Sequence, residues 1–200
     1  MKRLVIATSN PHKVEEIAAV LGRLGIECVP LGRTDIPEPD EDGETFEANA
    51  RIKAVEYAKA LGATVLADDS GLEVDALGGA PGVHSARYAG VGATRAERDE
   101  ANNAKLLAAL AGVPDEQRAA RFVCVLCVAA PDGAIEAEAR GTFEGRIGQA
   151  PRGANGFGYD PLLVLDDGRT SAELSPEEKN ARSHRGNALR RLVKLIEAAG

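Results

Sequence analysis

The run Thr64-Val65-Leu66-Ala67-Asp68-Asp69-Ser70-Gly71 constrains this chain more than any other, because it sets two adjacent carboxylates directly behind an apolar segment. Thr64 to Ala67 reads as a short buried strand, so Asp68 and Asp69 are expected to emerge together at its end. Neighbouring carboxylates repel. The pair costs stability unless a cation or hydrogen-bond donors offset the charge, and a hard divalent cation such as Mg²⁺ prefers this oxygen chemistry. The glycines that follow, among them Gly78, Gly79 and Gly82, permit tight turns and close backbone approach to a ligand. Taken alone, Asp-Asp-Ser-Gly is also an ordinary acidic turn, so its meaning depends on what the rest of the chain brings to it.

Two hundred residues with 44% hydrophobic content suffice for one well-filled core, divisible into two lobes, and a single domain over residues 1–200 is the expectation. A net charge of −7 disfavours broad binding to nucleic acid or to an anionic membrane, although single lysines and arginines can still meet a phosphorylated small molecule. The apolar run after Met1-Lys2-Arg3 ends at Thr8, too short for a signal peptide, and no run reaches transmembrane length; a cytoplasmic protein is expected. Cys124 and Cys127 have C-x-x-C spacing but lie within an apolar strand, Phe122 to Val128, where residues three apart point to opposite faces. Buried thiols are expected there rather than a metal or redox pair.

Along the chain, Arg3 to Ala7 reads as a strand. Val14, Ile17, Leu21 and Leu24 then mark a helix ending at Gly25. The connecting loop, Thr8-Ser9-Asn10-Pro11-His12-Lys13, offers hydroxyls, an amide and free backbone N–H groups at a helix start, which favours an anion; Ser9 or Asn10 can equally just cap the helix. Thr34 to Glu47, rich in acids and carrying Pro37 and Pro39, suits an exposed, mobile segment, and one of its acids could reach the cation held by Asp69. Phe46, Ala50, Ala54, Ala58 and Leu61 mark the next helix, closed by Gly62, and Thr94 to Glu97 fits a capping box opening a third. Residues 120–130 and 134–147, joined by Pro131-Asp132-Gly133, have the pattern of a hairpin, so a mixed sheet is expected. Phe157 and Tyr159, two of only seven aromatics, sit in the glycine-rich loop 151–161 and suggest a stacking surface; the alternative is that they plug a local core. After a short strand at 162–165, Ser175-Pro176-Glu177-Glu178 opens a helix that leads to the basic group Lys179, Arg182, His184 and Arg185, followed by a final amphipathic helix.

An anion-receptive loop with Lys13, a carboxylate pair, an aromatic glycine loop and a Lys/His/Arg cluster are jointly explained by a nucleoside triphosphate with Mg²⁺. Four motifs in order, Thr8-Ser9-Asn10-Pro11-His12-Lys13, Asp68-Asp69-Ser70-Gly71-Leu72 with Gly78 to Gly82 and Ser85-Ala86-Arg87-Tyr88, Gly156-Phe157-Gly158-Tyr159-Asp160-Pro161, and Lys179 with Ser183-His184-Arg185-Gly186, resemble the inosine triphosphate pyrophosphatase family over about residues 4–195. The resemblance implies a two-lobed α/β fold with a long mixed sheet flanked by helices and a nucleotide cleft between the lobes. It also implies a homodimer and Mg²⁺-dependent hydrolysis of ITP, dITP and XTP to the monophosphate and pyrophosphate. It makes Asp69 the general base and a metal ligand, with Thr8, Ser9, Asn10, Pro11, His12, Lys13 and Ser70 on the substrate. Phe157, Gly158, Tyr159, Asp160, Lys179, His184 and Arg185 complete the nucleotide site. Where many relatives read Thr-Phe-Glu-Glu-Asn-Ala, this chain has Thr45-Phe46-Glu47-Ala48-Asn49-Ala50, which leaves the second metal ligand open between Glu47, Glu44 and Glu41. A nucleotide sensor without turnover, and a pyrophosphatase for a modified pyrimidine or a canonical triphosphate, are the competing readings.

Overall fold

Capping residues and apolar periodicity account for the elements of the computed structural model, which describes residues 3–8, 10–32 and 35–199, the side chains of 11, 12 and 199 excepted. Strand β1 (Arg3–Ala7) leads to helix α1 (Pro11–Leu21), then β2 (Glu27–Pro30), α2 (Phe46–Leu61), β3 (Val65–Val74) and the two-residue β4 (Pro81–Gly82). Helix α3 (Arg95–Ala109), the long strands β5 (Ala119–Ala129) and β6 (Ile135–Ile147), the short β7 (Leu163–Val164) and helices α4 (Pro176–Arg182) and α5 (His184–Ala199) follow. Thr45 caps α2 by accepting from the Ala48 N–H, and Gly62, at φ 59°, ends it in the left-handed conformation that glycine adopts without penalty. The expected capping boxes are present, Thr94 with Glu97 at α3 and Ser175 with Glu178 at α4.

The strands are ordered β2-β1-β3-β5-β6-β7, with β4 on β3. β1 runs parallel to β2 and β3, while β4 on β3 and β7 on β6 are antiparallel, so the sheet is mixed as expected. The chain divides into two compact units, residues 1–69, 124–141 and 184–200 in the first, 70–123 and 142–183 in the second. β3, β5 and β6 contribute to both.

In the first unit, Leu4 and Ile6 of β1, Leu66 of β3 and Cys124, Leu126 and Val128 of β5 form one core with Ile17 and Leu21 of α1 and Ala188, Leu189 and Leu192 of α5. Side chains alternate along a strand, so Leu66 and Asp68 share the face that meets α1 and α5, while Val65, Ala67 and Asp69 share the other. Cys124 belongs to the α1/α5 core and Cys127 does not; both are buried and unbridged, as their strand spacing suggested. The second unit has its own core, in which Leu72 and Val74 of β3, Leu106 of α3 and Leu110 just beyond its end, Phe122, Phe143, Ile147 and Tyr159 pack together.

Two expectations need correction, and one strand was not foreseen. β3 does not end at Ala67 but continues to Val74, so Asp68 and Asp69 lie in mid-strand instead of emerging at its end. Glu27–Pro30 is a strand that its polar start had concealed. The acidic segment is largely exposed, as expected, but it is anchored at two points: Pro39 is buried, and the Gly43 N–H donates to Asn49 Oδ1 at 2.8 Å. A Cβ at Gly43 would stand 2.6 Å from that oxygen, so the approach needs glycine.

Candidate active site

Asp68 and Asp69 share a peptide bond and almost nothing else. On the α1/α5 face, Asp68 Oδ1 pairs with Lys13 of α1, and Oδ2 accepts from Arg185 Nε of α5 at 3.0 Å and from the Cys124 thiol. Arg185 also donates to Glu16 Oε2 at 2.7 Å. Burial opposes the Asp68 charge, but Arg185 and then Lys13 outweigh it and hold its carboxyl well below the usual range. The thiol of Cys124 is pushed far up, by burial first and then by the Asp68 charge, so it acts as a neutral donor.

On the opposite face, Asp69 Oδ1 accepts from Lys53 Nζ of α2 at 3.0 Å, and the same ammonium stands 3.2 Å from Glu41 Oε1. The other oxygen, Oδ2, is buried without a hydrogen-bond partner among the described residues. Burial raises the Asp69 carboxyl to about 6; Lys53 pulls it down, while Glu41 and Asp68 push it further up. Among the described residues, one ammonium is thus shared by two carboxylates, and one acceptor on Asp69 is unmet.

The candidate acids differ in where they lie. Glu41 joins Asp69 through Lys53, whereas Glu47, in the first turn of α2, pairs with Arg140 Nη1 at 2.8 Å and Glu44 is exposed. Among the described residues no cluster of three or more His, Cys, Asp or Glu side chains could enclose a metal. Asp69 and Glu41 nevertheless fit Mg²⁺, which is commonly held by one or two carboxylates together with substrate phosphates.

In the second unit, Asp160 is the hub of loop 151–161. Its Oδ2 accepts from the Phe157 N–H at 2.8 Å and from Lys179 Nζ at 2.5 Å, and its Oδ1 from the Ser171 hydroxyl at 2.7 Å. Gly156, at φ 79°, passes so close that a Cβ there would stand 2.1 Å from Asp160 Oδ2. The two loop aromatics part company. Tyr159 is in the core and its hydroxyl donates to the Ser85 carbonyl, while Phe157 is half-buried with Arg95 at 4.5 Å and Lys179 at 5.1 Å from its ring centre.

Several expected roles change with these placements. Lys13 and Lys179 do not offer orphan N–H groups at helix starts: their amides donate to the carbonyls of Asn10 and Ser175, and their ammonium groups meet Asp68 and Asp160. Arg185 and His184 are buried, Arg185 at 2% exposure, and the Arg185 guanidinium holds Asp68. Thr8 accepts from the Asn10 N–H through its hydroxyl, which tightens the turn into α1. Ser70 and Gly158 are half-buried. Ser9 and the side chains of Pro11 and His12 lie outside the described residues. Lys53 escaped the sequence reading, although it falls on the apolar stripe of α2 between Ala50 and Tyr57, and a lysine on such a stripe is itself a signal.

Residues 4–195 match the Ham1 family. The chain belongs to the Ham1 family. A protein named dITP/XTP pyrophosphatase from Exiguobacterium sp. is 55% identical over 192 residues, covering 95% of this chain and 94% of its own. One of the same name from Geobacillus kaustophilus is 53% identical, covering 96% and 93%. The solved structure of a HAM1 protein from Coxiella burnetii superposes with a TM-score of 0.89 at 43% identity, over 99% of this chain and 100% of its own. The family accounts for the α/β architecture and its mixed sheet.

Proposed function

We propose that this Ham1 family member is a nucleoside triphosphate pyrophosphatase that hydrolyses dITP, XTP and ITP, with Mg²⁺, to the monophosphate and pyrophosphate. The observation that carries the reading is Asp69: a buried carboxylate with one oxygen on Lys53 and the other unmet, beside a second carboxylate. Asp69 and Glu41 would hold Mg²⁺, which when bound offsets phosphate charge and eases ionisation of water. Lys53 fixes Asp69 through Oδ1 and supplies positive charge, while Oδ2 is the atom that takes the proton of the attacking water. Water adds its oxygen to phosphorus at the α–β anhydride, and the bridging oxygen departs with one of the two products. Phe157 is the stacking surface for the purine, half-buried and already flanked by cations.

Base choice follows from polarity. Hypoxanthine and xanthine present an acceptor at O6 and a donor at N1, and adenine reverses both. A site built to meet the first pair leaves buried groups unpaired with adenine, a mismatch worth roughly 10⁴-fold, whereas crowding by the 2-amino group of guanine gives roughly 10- to 200-fold. Pyrophosphate release measured across a nucleotide panel tests the reading, with dITP, ITP and XTP expected well above GTP and ATP lowest. Equal kcat/KM for dITP and ATP, or nucleotide binding without pyrophosphate release, would overturn it. A cytoplasmic homodimer completes the proposal, and sedimentation checks the dimer. Among the described residues, no helix is long and apolar enough to cross a membrane.

A further inference from the structure

Helix α3 presents Arg95, Asp99 and Asn103 four residues apart, hence on one face, and all three reach the Phe157–Gly158 segment. Asp99 Oδ2 accepts from the Gly158 N–H at 2.9 Å, Asn103 Nδ2 donates to the Gly158 carbonyl at 3.0 Å, and the Arg95 guanidinium covers the Phe157 ring. Both polar groups of one loop peptide residue are therefore captured by one helix. The helix is itself anchored, since Leu106 and Leu110 flank its end in the core and the buried Asn102 amide bonds to the backbone of Ser85, Ala86 and Ala89. Beside these contacts the segment borders a cavity of about 490 Å³ lined by Asp99, Asn103, Leu107, Pro151, Ala154 and Phe157. Tyr159, the next residue, shares the core of Leu106 and Leu110, and the polar contacts add a fixed register for Phe157 and Gly158 on α3.

We propose that Asp99 and Asn103 are positioning residues which, through Gly158, hold Phe157 where it stacks on the substrate base and so set the affinity for the purine. This rests on the reading of Phe157 as the stacking surface. The test is steady-state hydrolysis of dITP by the full chain carrying Phe157→Ala, Asp99→Ala, Asp99→Asn or Asn103→Asp, with melting followed alongside. Stacking on an aromatic commonly changes affinity by the order of tenfold. Phe157→Ala should raise KM by about that factor. Asp99→Ala and Asn103→Asp should raise it at least fivefold with kcat changed less than threefold, and Asp99→Asn, which keeps an acceptor for the Gly158 N–H, should restore KM to within about twofold of the parent. A general structural role would lower the active fraction, hence kcat, and leave KM alone; that outcome overturns the proposal. An unchanged KM in Phe157→Ala removes the stacking reading and this inference together, whereas a raised KM there with unchanged values in Asp99→Ala and Asn103→Asp removes this inference only. If Asp99→Ala does not fold, the isosteric Asp99→Asn and Asn103→Asp variants still decide, by parental and raised KM respectively.

Discussion

On the α1/α5 face of β3, Asp68 meets two cations and a thiol donor; one residue further on, across the sheet, Asp69 meets, among the described residues, a single ammonium that it shares with Glu41. Both carboxylates are buried, Asp68 the more deeply, which by itself would raise its carboxyl the further. Desolvation therefore does not set their order, and the partners do: the Asp68 carboxyl is held well below its ordinary value while that of Asp69 stands near 6. A saturated carboxylate can only hold structure together. An undersupplied one, with Oδ2 unmet, can take up a metal ion or a proton, and the comparison divides one acidic pair into a brace and a reactive group.

The largest break in that contrast comes from Asp69→Asn. The amide keeps the shape but removes the charge on the reactive face, so pyrophosphate release from dITP should fall by roughly 10³-fold or more. The protein should stay folded, with an unchanged circular dichroism spectrum. Near-parental turnover would assign the chemistry to another group.

Asp68→Asn attacks the brace. It removes the carboxylate that Lys13 and Arg185 both meet, and breaking a buried pair from one side costs roughly 3–5 kcal/mol. A fall in Tm of about 6–20 °C follows for a chain of this size. Because the folded carboxyl is depressed, its stabilisation is present above the ordinary value near 4 and is lost as pH falls further. Thermal melts at pH 7 check this; an unchanged Tm would show that the cations on that face find other partners.

How far the sequence reached can be judged on the same strand. Apolar Val65 to Ala67 announced β3, and the acids behind it announced charge chemistry, but Ser70-Gly71 read as a turn and hid the continuation to Val74. The alternation of Leu72, Glu73 and Val74 was the overlooked signal, and with it the opposite facing of Asp68 and Asp69 follows from the strand period alone. What periodicity cannot reveal is the partner from a distant element. Arg185 reaches Asp68 from 117 residues away, and Lys53 and Glu41 meet Asp69 only once α2 packs on the sheet. The caps of α2, α3 and α4 were fully local and were legible for that reason.

The raised carboxyl of Asp69 also sharpens the contrast through pH. Between an unfolded value near 4 and the folded value near 6, the unfolded chain releases this proton first, so the native state binds more protons and the contribution of Asp69 to stability falls as pH rises. Asp69→Asn removes that dependence. In metal-free buffer the variant should match the parent near pH 4 and melt higher above pH 6, by a difference worth about 1–3 kcal/mol. A gap that stays constant from pH 4 to 8 would mean that Asp69 does not titrate in this range.

The smallest effects separate Glu41 from Glu47, two of the three acids that the sequence left undecided. Glu41 shares Lys53 with Asp69, so Glu41→Gln should remove one of two carboxylates from the Mg²⁺ site and raise the Mg²⁺ concentration needed for half-maximal dITP hydrolysis by roughly tenfold. Turnover at saturating Mg²⁺ should recover most of its parental value. Glu47 instead sits in an ion pair with Arg140 whose loss is worth about 0–1 kcal/mol at a partly exposed position. Glu47→Gln should therefore leave the Mg²⁺ requirement within about twofold of the parent, as expected for a pair outside the metal site. The two titrations run side by side form a crossed test. If Glu47→Gln shifted the Mg²⁺ requirement and Glu41→Gln did not, the acid in the first turn of α2 would be the second ligand, and the ammonium shared between Asp69 and Glu41 would be a brace of the same kind as the one around Asp68.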